Sequence, residues 1–158
     1  MQSSTDSLTP RSYVNYIDSE HLTQWVDSGR ASIASAKVCA AFHDFLLGLS
    51  WLPTKLDWEE IEHDTIDLSE LGDADLVTLV RRYPLGGHPY LLAMFTPDQP
   101  GLICRTEDGI TNLDHIYWKA QGFRYFCGVD IASDGELVYR HEDFGEFDGF
   151  AELTLPVP

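Results

Sequence analysis

Basic residues are scarce in this chain: 10 Lys+Arg stand against 26 Asp+Glu in 158 residues, a formal charge of -16 at pH 7. Phosphate backbones are bound by clustered Lys and Arg, so this balance excludes direct nucleic-acid binding through a basic patch. The same sign argues against adsorption to anionic membranes. Cysteine is sparser still. Cys39, Cys104 and Cys127 are an odd number at wide spacings with no CxxC pair, which excludes a disulfide framework and gives no zinc or redox motif. Long apolar runs are missing as well. The longest, Val38 to Leu52, is interrupted by His43 and Asp44 and falls short of the ~20 residues that span a bilayer. Met1 to Pro10 is polar, with no Lys or Arg before Arg11, and so lacks the basic start and apolar run of a secretory signal. A reducing, cytoplasmic setting is the expectation. No internal repeat, low-complexity tract or Gly/Ser/Pro-rich linker divides the chain.

What is present suffices for a core. Hydrophobic residues make up 44% of the chain and aromatics 12%, which opposes disorder despite the charge. The expectation is a loose tail over residues 1–8 followed by a single α+β domain over 9–158, with N-terminal helices packed on a mostly antiparallel sheet. Thr9-Pro10 suits a helix start, with a short helix over Ser12–Ile17 and a second from Asp18 or Ser19 to near Gly29. The clearest helix is expected from about Ala31 to Leu49, because Val38, Phe42, Phe45, Leu46 and Leu49 share one face. Asp73 is placed to cap a further helix through Leu76, Val77, Leu79 and Val80 that ends before Pro84. Tyr90–Thr96, Leu102–Thr106, Arg124–Ile131, Glu136–His141 and Phe150–Leu155 read as strands. Asp108-Gly109 and Asp134-Gly135 read as hairpin-type turns.

Two acidic stretches hold 17 of the 26 carboxylates. Asp57 to Asp75 carries nine and no basic residue, with Trp58, Ile61 and Ile66 threaded through it; Asp130 to Glu152 carries eight, opposed only by Arg140. A charge run is ordinarily a solvated face. Here the interleaved aromatics give a second reading, since an interface sets apolar anchors inside a polar rim. Self-repulsion raises the cost of folding such a chain, so something offsets it: solubility, a cation or a cationic partner.

Catalytic and metal motifs are weak by comparison. Asp130 to Gly135 has acids at positions one and five of a calcium loop, but Ala132 stands at position three and His141 at twelve, where a bidentate Glu belongs. His63, Asp64 and Asp67, or His141, Glu142 and Asp143, lack the HExxH spacing that sets two imidazoles on one helix face. Cys39 and His43 are i, i+4, a spacing for a nucleophile and base, though a small core Cys beside a boundary His explains them more simply. No GxSxG elbow or SxxK motif occurs. Gly86-Gly87-His88 lacks the Lys of a phosphate-binding loop and reads as a turn, with Arg81 and Arg82 offsetting the preceding helix end. No cofactor is implied.

The profile (small, acidic, aromatic-bearing, without targeting or catalytic signature) resembles that of immunity proteins in bacterial toxin systems, in kind and without a shared motif. The resemblance implies an antitoxin-like inhibitor that occludes the cationic active site of a basic partner, with no direct nucleic-acid or membrane contact. The contact residues expected are Asp57, Glu59, Glu60, Glu62, Asp64 and Asp67 with Trp58 as anchor, and Glu142, Asp143, Glu146 and Asp148 with Phe144 and Phe147. The alternatives are a DNA mimic that blocks a nucleic-acid-binding protein, or a small enzyme built from dispersed His88, His115 or His141 with carboxylates. A ligand-binding or assembly module using Tyr117, Trp118, Phe123, Tyr125 and Phe126 is the third, although these residues read more simply as core.

Overall fold

Tyr90-Leu91-Leu92-Ala93-Met94 is almost continuously apolar, the pattern of a strand buried on both faces rather than one. In a computed structural model, which describes residues 20–113, 116, 124–148 and 151–158, this segment lies inside a seven-stranded sheet. The strands are β1 (Ala31–Ala34), β2 (His63–Asp67), β3 (Tyr90–Met94), β4 (Gly101–Arg105), β5 (Arg124–Ile131), β6 (Leu137–Phe147) and β7 (Glu152–Pro156). They run in the order β1-β4-β3-β5-β6-β7-β2, with every neighbouring pair antiparallel. The helices are α1 (Glu20–Asp27), α2 (Ala36–Leu47), α3 (Asp73–Val80) and α4 (Thr106–Thr111). The fold is α+β on one antiparallel sheet, as expected. The tail at residues 1–8, the helix expected over Ser12–Ile17, and His115, Tyr117, Trp118 and Phe123 lie outside the described residues.

Each face of the sheet has its own core. Leu91 and Ala93 join Trp25, Val26, Leu76, Val80, Ile110, Phe126 and Phe147, so α1, α3 and α4 cover that face. Leu92 and Met94 join Phe42, Leu46, Leu56, Trp58, Tyr125 and Phe144 beneath α2. On α2 the buried residues are Cys39, Phe42 and Leu46, with Val38, Phe45 and Leu49 packed beside them, the face that the spacing predicts. Fully burying Phe42 or Leu46 contributes about 1.5–3 kcal/mol relative to exposure.

Three expectations are corrected. The helix expected from Ala31 starts five residues later, because Ser35 accepts the Val38 amide as N-cap (3.2 Å) while Ala31–Ala34 pair with β4 as an edge strand. Asp108-Gly109 is no hairpin turn but part of α4, where burial of Ile110 and Leu113 overrides the local turn preference. Gly72, rather than Asp73, occupies the cap position of α3. Asp134-Gly135 does turn the β5–β6 hairpin, with Gly135 at φ +88°. Among the described residues no helix is long and apolar enough to cross a membrane.

Candidate functional site

The acidic run from Asp57 does more than coat a surface: its middle forms β2, one of the two edges of the sheet. Asp57 caps a 3-10 turn over Trp58–Glu60, accepting the Glu59 amide at 3.1 Å, and Asp67 caps the next one, accepting the Ser69 amide at 3.0 Å and its hydroxyl at 2.6 Å. Those hydrogen bonds to the ionised form hold the Asp67 carboxyl below its ordinary range. Asp64 accepts the Tyr83 hydroxyl at 2.7 Å. Strand alternation sends Thr65 to the α2 face and Ile66 to the opposite core, so carboxylates project to both sides of the edge. Asp67 stands directly opposite Glu152 of β7, a like-charge pair that the ladder itself does not favour. Arg30, Arg81 and Arg140 are engaged by Asp108, Glu107 and Asp130. None of the nine acidic side chains from Asp57 to Asp75 makes an ion pair among the described residues.

The second acidic stretch meets the first. β6 lies two strands from β2, and Trp58 stacks on Phe144 with ring centroids 5.5 Å apart. Opposite Cys127 and Gly128 of β5, the ladder jumps from Phe144 to Arg140, so residues 141–143 of β6 loop out. The loop turns His141 onto Phe42 and Phe45 of α2, leaves Glu142 exposed, and carries Asp143 to His88. The His88 ring lies over Gly128, where an added Cβ would sit 2.1 Å from its Cδ2, so only glycine admits it. Its Nδ1 is 2.7 Å from Asp130 Oδ1 and its Nε2 2.6 Å from Asp143 Oδ2. Only an imidazolium donates through both nitrogens. Burial alone would lower this pKa, but the hydrogen bonds to Asp143 and Asp130, with their charge, outweigh it and raise it above 6.5. Asp130, bonded to His88 and also to Arg140 Nε at 3.0 Å, is held below its ordinary range.

Both ring nitrogens of His88 are thus engaged by carboxylates, and the arrangement clamps the looped-out residues of β6 to β5. His141 is pushed the other way, its pKa lowered by burial among the aromatic rings. Cys39 is fully buried and its thiol is pushed up to about 12 by burial, which removes it as a nucleophile beside His43. Below the aromatic cluster, the Tyr125 hydroxyl donates to Glu146 Oε2 (2.6 Å) and accepts the Leu56 amide (3.1 Å), tying the loop after α2 to the sheet. Lys55 Nζ lies 3.8 Å from the other oxygen of Glu146.

The candidate contact residues therefore divide. Glu59, Glu60, Glu62, Asp64, Asp67 and Glu142 are exposed, Asp57 is half-buried at the cap, and Asp148 is half-buried, accepting the amides of Ala151 and Glu152 at 3.1 Å each. Trp58, Phe144, Glu146 and Phe147 are buried in the fold, Phe147 on the face opposite the other three. Their anchoring is internal: Trp58 and Phe144 hold the two acidic stretches against each other. Asp143 belongs to the clamp. The clamp itself escaped the sequence, since His88 is 42 and 55 residues from its two carboxylates, and only the tertiary fold relates them. Comparison with protein-family models, curated proteins and solved structures finds no match to this chain.

Proposed function

We propose that this chain is a binding protein that neutralises a basic partner protein, acting as an immunity protein or antitoxin does by occluding a cationic active site. The observation that carries this reading is the acidic run from Asp57 to Asp75, which passes through the edge strand β2. Eight of its nine carboxylates are exposed and none makes an ion pair among the described residues, and Glu142, exposed on the looped-out part of β6, adds to them. Uncompensated like charge opposes the folded state, and a cationic surface relieves it. The same field steers encounter and makes association fall with ionic strength. Trp58 and Phe144 set the two acidic stretches side by side, and the His88 clamp holds the looped-out residues that present Glu142.

The test is charge reversal of Glu59, Glu60, Glu62 and Asp64 to Lys. The wild-type and reversed chains serve as baits in native lysate, washed at low and then high salt. A stoichiometric basic protein is expected on the wild type alone, released by salt, with its own activity suppressed when the wild-type chain is added back. Equal capture by both baits, or suppression unaffected by the reversal, overturns the proposal.

A further inference from the structure

We infer that the basic partner docks an extended segment on the open edge of β2, adding an eighth strand to the sheet; this rests on the reading of a cationic partner given above. The register decides which backbone groups are free. Val157 N–H donates to Glu62 C=O (3.1 Å) and Leu68 N–H to Ala151 C=O (2.6 Å), so the hydrogen-bonded positions facing β7 are the even ones, 62 to 68. The N–H and C=O groups of His63, Thr65 and Asp67 therefore point outward, and no described segment pairs with them. An edge of this kind is a template for another strand unless it is blunted.

The edge carries no proline and no bulge, and charge of a single sign is what guards it. That charge selects: a second copy of this acidic chain is repelled, and a Lys- or Arg-bearing strand is attracted. The carboxylates are placed for it, with Glu62 and Asp64 on one side of the edge and Asp67 on the other, next to Glu152. A cation opposite Asp67 would relieve the Asp67–Glu152 pair. At the first residue of the edge, the His63 ring packs against buried Trp58 with ring centroids 5.3 Å apart, and its Nδ1 lies 2.7 Å from the Ile61 carbonyl, which fixes the start of the strand.

The experiment uses the full chain and a capped peptide of about nine residues alternating Lys and Thr, a length that fits one strand. Two further peptides carry N-methyl groups on alternate residues, one in each phase. An added strand uses the amides of one phase only, so one methylated peptide should bind at least about tenfold more weakly while the other binds like the parent. Hydrogen exchange should slow at the amides of Thr65 and Asp67 on peptide binding and stay unchanged at Asp64 and Ile66. Thr65→Pro, which removes an outward N–H and is tolerated only on an edge, should weaken the parent peptide by a similar factor. Equal binding of all three peptides with no protection at Thr65 or Asp67 overturns strand addition and leaves the charge-driven reading standing. No binding of the parent peptide at low salt overturns strand addition as well; joined to equal capture in the charge-reversal test, it removes both.

Discussion

Replacing His88 with Ala measures the clamp at the β5–β6 irregularity. The substitution removes two hydrogen bonds from an imidazolium to carboxylates, at 2.7 and 2.6 Å. A hydrogen bond to a charged group contributes about 1.5–3 kcal/mol net, an upper figure for groups that keep water. Asp130 retains Arg140, and the Asp130 and Asp143 side chains are 30% and 24% exposed, so the loss falls to about 2–3 kcal/mol. For a domain of this length that lowers Tm by about 4–12 °C. The pH dependence is the sharper signature. The folded pKa of His88 is raised above 6.5, so its stabilisation is complete below the unfolded value and is lost as pH rises through the folded one. Asp130 is held below 3.8, so its share is present above that value and is lost only as pH falls through the lowered one. Urea unfolding of wild type and His88→Ala at about pH 6 and about pH 9 separates this group from every other titration, which both proteins share. The stability difference should shrink at the higher pH. A difference that is equal at both, or larger at about pH 9, refutes the imidazolium clamp.

Tyr125→Phe should destabilise by about 1–3 kcal/mol, because the Leu56 amide and the buried Glu146 carboxylate both lose the hydroxyl between them. A double-mutant cycle with Glu146→Gln in urea unfolding should show coupling, and additive losses would count against the shared bond. The three thiols should resist iodoacetamide in the native protein at about pH 8 and react fully in denaturant, since burial holds Cys39 and Cys104 up to about 12 and raises Cys127 as well. Rapid native labelling of any one of them would mean that its surroundings are far less buried than the fold implies.

The central elements were legible in the residues because each is dictated locally. The stripe from Val38 to Leu49 fixes the buried face of α2, the apolar run of β3 reads as a strand, and Asp134-Gly135 sets the turn between β5 and β6. Where sequence reasoning failed, a distant contact outweighed a local preference. Ala31–Ala34 has helix-compatible residues and becomes a strand because β4 offers it an edge, and the Asp108-Gly109 turn signal yields to the burial of Ile110. β2 was hidden because its alternation is short and submerged in acid, and only pairing with β7 makes it a strand.

For the candidate site the division is similar. Composition by itself determined that the surface is strongly acidic and that two stretches hold most of the charge, because a net of -16 cannot be buried and must face solvent or a cation. The tertiary structure alone decided that one stretch becomes a sheet edge with outward-facing amides, that Trp58 and Phe144 turn inward to join the two, and that His88 reaches Asp130 and Asp143. Such contacts depend on strand order and register, and these are set by how two apolar cores close around one sheet rather than by any spacing along the chain.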